Sequence, residues 1–306
     1  MSEYLDSDIA YLLGLIIGRG EIIQNSDIFK IVIHFPFKTQ LEGMDQFSEY
    51  VKSLTKSINP RIESLTGKFP TIKSNQQDRD VQIEIEVTRS NIFARIITAS
   101  LNNKFHYSEF RVPQGIKDSE DLEVIKEFVR GFADTSGNIR RSNRDQNGFH
   151  RVYLDVLNRN WYLPVDICNL LQDKVKIPVS NIIWGHPDLR NDSAFREHQI
   201  RVYAHDFVKI GFYVEHKGKI LKELAEENQD LIKSGKKDPS YFCPGCKRIR
   251  NKDINPLEKD NRLPKSIRGK HFDSYWQICA EFGCRYAAEC VEYKEQEKLP
   301  HFHKEK

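Results

Sequence analysis

Residues 12–22 read Leu-Leu-Gly-Leu-Ile-Ile-Gly-Arg-Gly-Glu-Ile, and residues 129–139 read Val-Arg-Gly-Phe-Ala-Asp-Thr-Ser-Gly-Asn-Ile. The two stretches share one pattern when Gly14 is aligned with Gly131, a separation of 117 residues. The first stretch predicts a buried apolar helix that ends at a glycine, and the second, as a copy at a fixed distance, is expected to form a helix of the same pattern. Because small residues spaced four apart permit close approach of two helices, we expect these helices to pack against each other.

The paired stretches resemble the signature helices of the LAGLIDADG homing endonucleases, and the resemblance extends over about residues 8–225. In that family the two motif helices pack at the centre of the molecule, and the acid at the eighth motif position holds a divalent metal over DNA. Here the eighth positions are Arg19 and Ser136. The resemblance therefore implies a DNA-cleaving scaffold that has lost both of its metal-binding acids.

The segments that follow the two motifs show the same order of predicted helices and strands. Alternation of Val81, Ile83, Ile85 and Val87 with polar residues predicts a half-buried strand. After the first motif we predict an apolar stretch at 28–37, a helix at 41–54, this strand at 81–87 and a helix at 91–101. After the second motif we predict a strand at 151–157, a helix at 164–174, a strand at 199–203 and a helical end at 206–212. The resulting fold class is α+β, a pseudo-twofold repeat of α-β-β-α-β-β-α. Two such repeats would form a saddle, which in the family sits on duplex DNA.

Composition places the chain among globular proteins. It has 306 residues, 39% of them hydrophobic, and a net charge of only +3. No apolar run is long enough for a membrane span, and the acidic N-terminus lacks the pattern of a signal peptide. We expect a monomeric, cytoplasmic and nucleoid-associated protein. We divide it into repeats at 1–112 and 118–232, joined by a linker at 111–121, and a third module at 238–300.

The loss of the two acids decides the expected chemistry. Hard divalent cations such as Mg²⁺ need carboxylate oxygens, so Arg19 would repel the metal and could instead contact a phosphate. Ser136 is a poor metal ligand. Two neighbouring acids remain as candidates for relocated catalysis, Glu21 and Asp134, although Asp134 occupies a motif position where an acid commonly helps to end the helix.

Polar residues after the second motif are the candidates for DNA contact. Arg, Asn and Gln are the side chains that make paired hydrogen bonds to guanine and adenine edges. The loop and strand start after the second motif supply Arg140, Arg141, Arg144 and Arg151, and a later strand supplies Gln199, Arg201 and Tyr203. On the first repeat, Glu84 and Glu86 fit such a face less well because acids repel phosphate.

The last module carries a different chemistry. Cys243-Pro-Gly-Cys246 has the spacing of a zinc knuckle, and Cys279 with Cys284 is the expected second pair. Cys290 or His271 could replace one of these ligands. Four protein ligands would make the zinc structural. The stretch 247–270 between the pairs has nine Lys or Arg against three acids, and Lys247, Arg248 and Arg250 are its first candidates for phosphate contact.

Three functions remain open from the sequence. The favoured one is a sequence-specific double-stranded DNA-binding protein without cleavage activity, a regulator or the recognition subunit of a partner protein. The alternative is an active site-specific endonuclease, homing or restriction-like, that uses Mg²⁺ and relocated acids such as Glu21 and Asp134. The third is an assembly or RNA-binding protein that keeps only the fold.

Overall fold

The architecture was established from a computed structural model. It describes residues 5–37, 44–75, 77–106, 109–141, 148–157, 160, 162–188 and 193–236. Every statement below concerns these residues. The whole predicted zinc module, with its cysteines, His271, Lys247, Arg248 and Arg250, lies outside them, as does Arg144.

The first repeat has the predicted order of elements. It consists of α1 (Ser7–Arg19), β1 (Gly20–Gln24), β2 (Ile28–Pro36), α2 (Met44–Thr66), β3 (Thr71–Asn75), β4 (Asp80–Thr88) and α3 (Ile92–Ser100). The strands form one antiparallel sheet in the order β1-β2-β4-β3. Core residues occupy alternate positions of β2 and β4, so one sheet face is buried and the other is the outer face.

The second repeat follows a short helix in the linker, α4 (Gln114–Asp118). It consists of α5 (Leu122–Ser136), β5 (Gly137–Arg140), β6 (Arg151–Leu157), α6 (Tyr162–Asn169) with a π-helical turn (Leu170–Lys174), β7 (Asn181–Asp188), β8 (Ser193–Tyr203) and α7 (Ala204–Phe207). A last helix, α8 (Glu215–Lys233), follows. The sheet order β5-β6-β8-β7 repeats that of the first sheet. The predicted α+β repeat is therefore confirmed.

Several elements differ from the predicted bounds, and β8 begins at Ser193 instead of 199. Helix α2 runs on to Thr66 instead of ending at 54, because Leu54, Ile58 and Ile62 continue a buried stripe. Pro60 within it is exposed, so its missing N–H leaves no buried group unsatisfied on the core side. The helix predicted at 206–212 is shorter and earlier, and α8 was not predicted.

The two motif helices form the centre of the molecule. Residues 9–18 of α1 are all buried, mainly by α5. A Cβ on Gly14 would overlap the carbonyl oxygen of Phe128, and one on Gly131 would overlap that of Tyr11. Glycine is thus required at the point where the two backbones touch. Across the part of the chain that the structure describes, no helix is long and apolar enough to cross a membrane.

Candidate nucleic-acid interface

Both motif helices end on the same side of the molecule. Helix α1 ends at Arg19 and continues directly into β1, and α5 ends at Ser136 and continues into β5. The ends of the helices therefore lie beside the outer faces of the two sheets, which together we call the saddle face. This is where the sequence places the lost acids.

Arg19 bridges the two repeats. Its Nη2 lies 3.3 Å from Oε2 of Glu197, which belongs to β8 of the other repeat. Both side chains are mostly buried, at 17% and 18% exposure. The Nε of Arg19 is also buried, and it has no hydrogen-bond acceptor within the described residues. A fixed cation thus stands at the position where the resemblance implies a metal-binding acid.

Ser136 has a purely local contact. Its hydroxyl donates a 2.6 Å hydrogen bond to the carbonyl oxygen of Phe132, one helical turn earlier. The side chain is buried. A hydroxyl committed to its own helix in this way presents no ligand toward the saddle face.

Asp134 is buried and serves the structure. Its Oδ2 accepts hydrogen bonds from the Tyr11 hydroxyl at 2.7 Å and from the Tyr213 N–H at 3.1 Å. Its Oδ1 accepts from the N–H of Val214 at 3.3 Å. The carboxylate therefore ties α5 to α1 and to the start of α8. Both oxygens of Asp134 are thus engaged in hydrogen bonds within the protein, and its candidate role as a relocated metal ligand stays a prediction.

The environment of Asp134 has an electrostatic cost. Burial raises the pKa of its carboxyl to about 6, and the nearby ammonium of Lys217 opposes the rise. Lys217 is itself buried and donates to the carbonyl oxygens of Asp134 at 2.6 Å and Gly137 at 2.8 Å. Its charge and these bonds fix the beginning of α8 against the end of α5.

Glu21 and a histidine–carboxylate pair lie on the first half of the saddle face. Glu21 is exposed on β1. The Nδ1 of His34 lies 2.8 Å from Oδ2 of Asp80, and this hydrogen bond raises the pKa of His34. The sequence analysis missed the pair because only the register of β2 and β4 brings the two residues together. Among the described side chains, no three His, Cys, Asp or Glu residues could hold one metal ion.

The predicted basic residues of the second repeat converge on one ring. The guanidinium carbons of Arg140, Arg151 and Arg201 lie 5.2, 5.5 and 5.1 Å from the ring centroid of Tyr153. We call these four residues the Tyr153 cluster. It comes from three neighbouring strands, β5, β6 and β8, whose register places the side chains on one outer face. Tyr153 itself had not been singled out from the sequence.

Gln199 holds one arginine of this cluster by a hydrogen bond. Its Oε1 accepts from Nε of Arg201 at 2.9 Å, and its Nε2 donates to Oδ1 of Asp155 at 3.0 Å. Gln199 and Asp155 are both buried. The structure thus shows Gln199 bonded to an arginine of the cluster, and its role as a direct DNA contact stays a prediction.

Two other candidates for DNA contact lie elsewhere. Arg141 is paired with Glu223 and Glu227 of α8, at 2.5 and 2.6 Å, so its charge is used in holding that helix. Tyr203 is fully buried, and its ring packs against those of Phe149 and His205. Tyr203 lies opposite Arg151 in the register of β6 and β8, so it belongs to the outer face, but Phe149 and His205 cover its ring there.

The outer face of the first sheet has the opposite character. Glu84 forms ion pairs with Lys30 at 2.8 Å and Lys73 at 2.7 Å. These hydrogen bonds hold the pKa of Glu84 below its ordinary value. Glu86 is exposed one alternate position further along β4. The lysines of this face are thus partly neutralised by its own acids.

No protein-family model matches the sequence, and no curated protein matches it. Solved structures do match. A variant of I-DmoI, in complex with its nicked target DNA in the presence of Mn, is 15% identical, with 64% of this chain and 88% of that chain covered and a TM-score of 0.34. The I-LtrWI LAGLIDADG homing endonuclease bound to target DNA is 12% identical, with 75% and 92% covered and a TM-score of 0.39.

A second variant of I-DmoI, with its target DNA and Mn, is 16% identical, with 69% of this chain and 96% of that chain covered and a TM-score of 0.35. At these low identities and scores, the function of the chain has to be inferred from its own residues.

Proposed function

We propose that the chain is a sequence-specific double-stranded DNA-binding protein, built on a LAGLIDADG-like scaffold, that does not cleave DNA at its motif helices. The observation that carries the proposal is the state of the two eighth motif positions. Arg19 is ion-paired with Glu197, and the Ser136 hydroxyl is bonded to its own helix. Neither presents a carboxylate to a metal, and one presents a positive charge.

The physical argument against a metal at this position is electrostatic. Two unit charges 4 Å apart interact by about 4 kcal/mol at the effective dielectric constant near a protein surface. A divalent cation beside the Arg19 guanidinium would meet twice that repulsion, and Glu197 offsets only part of it. A DNA phosphate at the same place would instead be attracted. Arg19 then supplies a fixed positive charge where active relatives of this scaffold need a metal.

The proposal predicts duplex binding that is independent of divalent metal. A duplex of about 20 base pairs, selected from a random library by the full chain, should give the same dissociation constant in EDTA and in Mg²⁺ and remain uncut. Affinity should fall steeply with salt because phosphate contacts release counterions. Arg19→Ala should weaken binding. The matched control is Lys56→Ala, which removes an exposed cation of α2 that pairs with Glu215 on α8. A strict requirement for Mg²⁺ would refute the role of Arg19.

A second function is kept because one observation favours it. Glu21 is exposed on the saddle face, on the strand next to the one that carries His34, and His34 is bonded to Asp80. If the unmodified protein cuts its selected duplex with Mg²⁺, and Glu21→Gln abolishes cutting while binding persists, the chain is an endonuclease with relocated acids. The burial of Asp134 favours Glu21 as the first of the two relocated acids to test.

We also propose that the repeats 1–112 and 118–232 are followed by a separate basic module at 238–300. Cys243, Cys246, Cys279 and Cys284 would hold one structural zinc there. The spacing of the first pair and the excess of basic residues between the pairs support this assignment. The module would add phosphate contacts outside the saddle face.

A further inference from the structure

A small cavity lies where the two repeats meet. Its volume is about 20 Å³. Residues of α8 form part of its wall, and the rest comes from the end of the first repeat's β2, from α2 and from the start of β5, namely Pro36, Phe37, Tyr50, Gly137, Asn138 and Ile139. A cavity needs roughly 10–15 Å³ to hold a water molecule, so this one has room for a single water.

The hydroxyl group of Tyr50 is buried at this cavity. Tyr50 lies on α2 and is only 1% exposed. Its ring is fixed by those of Phe37 and His216, with centroid distances of 5.1 and 5.9 Å. Within the described residues, its Oη forms no hydrogen bond. Because a buried hydroxyl without a partner is costly, this atom indicates a bound group that supplies one.

The side-chain amide of Asn138 points to the same conclusion. Its Oδ1 accepts a hydrogen bond from Nε of Arg140 at 3.2 Å. Since the Nε–H of an arginine can only donate, this bond fixes which end of the amide is the oxygen. Nδ2 is therefore the remaining donor of Asn138. It is buried, and in the part of the chain that the structure describes it has no acceptor.

The chemistry of the lining selects the ligand. The Tyr50 hydroxyl and Nδ2 of Asn138 can both donate, and the Lys217 ammonium, which also lines the cavity, is a donor too. Such a lining favours an oxygen over a cation. A water oxygen accepts from Nδ2, and it can either accept from the hydroxyl or donate to it. One water therefore satisfies both buried groups.

We propose that one buried water bridges the Tyr50 hydroxyl and Nδ2 of Asn138, and that Tyr50 thereby acts as a positioning residue for Arg140. The contacts run from α2 of the first repeat through the water to Asn138, and from Asn138 to Nε of Arg140 on β5 of the second repeat. A bond at Nε fixes the plane of the guanidinium. The role of Arg140 as a DNA contact rests on the proposed function, whereas the water site does not.

The water site is tested on the free protein. A crystal structure of the full chain, at a resolution that shows ordered waters, should contain one water within hydrogen-bond distance of Tyr50 Oη and Asn138 Nδ2. A direct hydrogen bond between the two side chains, or no water at the cavity, would overturn the proposal whatever the protein binds.

The positioning role is tested by a double-mutant cycle on binding of the selected duplex. Tyr50→Phe keeps the ring and removes the hydroxyl, so affinity should fall about fivefold, the worth of about one hydrogen bond. In an Arg140→Ala background the same change should have almost no effect, because no guanidinium is left to position. Tyr162→Phe is the matched control, because this exposed tyrosine contacts Arg111 instead of the cavity and its substitution should leave affinity unchanged.

The cycle separates positioning from stability. Thermal melting of each variant shows whether it is folded, and a loss of stability alone would lower affinity equally in both backgrounds. Equal losses would therefore overturn the positioning role of Tyr50 while duplex binding itself persists. If the unsubstituted chain enriches no duplex, the proposed function fails and the role of Tyr50 in binding fails with it, and the crystal structure still decides the water site.

Discussion

The contact between the motif helices can be tested with a pair of glycine substitutions. Gly131 lies in α5 against the backbone of α1, where an added Cβ would overlap the carbonyl oxygen of Tyr11. Gly218 lies in α8, where an added Cβ would meet its nearest atom at 3.5 Å, an ordinary contact. Replacing either glycine with alanine makes the same chemical change within a helix.

The two substitutions should change the free energy of unfolding in opposite directions. Alanine is favoured over glycine in a helix by about 1 kcal/mol, and Gly218→Ala should gain up to that amount. Gly131→Ala gains the same propensity but forces apart two packed backbones. Overpacking costs about 1–3 kcal/mol where side chains can yield, and a backbone carbonyl cannot rotate aside, so we expect a net loss of about 2 kcal/mol or more for Gly131→Ala.

The assay is thermal and urea unfolding of the full chain, followed by circular dichroism. For a domain of this size a loss of 1 kcal/mol lowers the melting temperature by about 2–4 °C, so Gly131→Ala should melt roughly 4–8 °C lower while Gly218→Ala melts at or above the wild-type temperature. Duplex binding should weaken in Gly131→Ala because the helix contact sets the spacing of the two sheets. Equal melting temperatures for both variants would refute the close helix packing.

Three further predictions concern charge and metal. The pKa of Asp134 in the folded protein, about 6, lies above its ordinary value of 3.8, so protonation of this group favours folding. The free energy of unfolding should therefore rise by about 1 kcal/mol as the pH falls from 7 to 5. Urea titrations at the two pH values should show that gain, and Asp134→Asn should abolish it; the same pH dependence in both proteins would exclude Asp134 as the source. Arg19→Asp should weaken duplex binding in the absence of metal, measured by gel shift. The double variant Arg19→Asp with Ser136→Asp should introduce Mg²⁺-dependent binding or cutting, measured by gel shift and nicking assays. If Arg19→Asp binds duplex as tightly as the wild type does, Arg19 does not contact DNA. Elemental analysis of the untagged chain should find one zinc, which Cys243→Ser should release while the melting of the two repeats is unchanged; absence of zinc would refute the metal module.

The sequence predicted the elements whose signals are local. Helix α1 contains a continuous apolar run, α5 repeats its glycine pattern, and β4 alternates strictly between core and outer residues. Helix α8 escaped prediction because only a few buried apolar positions lie among its many charges. Its position depends on the contacts of Lys217 with the end of α5, which are about 80 residues distant in the sequence. Such long-range polar contacts leave no periodic signal.

The candidate site was predictable in composition but not in arrangement. Arg140, Arg151 and Arg201 stand out as basic residues on predicted strands, yet their convergence on Tyr153 requires the registers of three strands. The burial of individual polar side chains could not be predicted from the sequence either. Asp134 and Tyr203 have the residue types of functional groups, and only the packed structure shows that both are enclosed by other side chains.

The two positions where the resemblance implies an acid carry residues with unequal contacts. The Ser136 hydroxyl donates within its own helix and adds nothing to the saddle face. Arg19 introduces a cation that pairs across the repeats with Glu197. A mostly buried ion pair of this kind contributes little net stability, because the cost of desolvating the two charges offsets their attraction, so folding alone does not explain why a cation stands at this point. Attraction of a polyanion would be a larger effect, and it would operate only when DNA occupies the saddle face. On the proposed function, the arginine at position 19 is therefore better explained by binding than by folding, and Arg19 and the Tyr153 cluster would contact the same ligand from two places on one face.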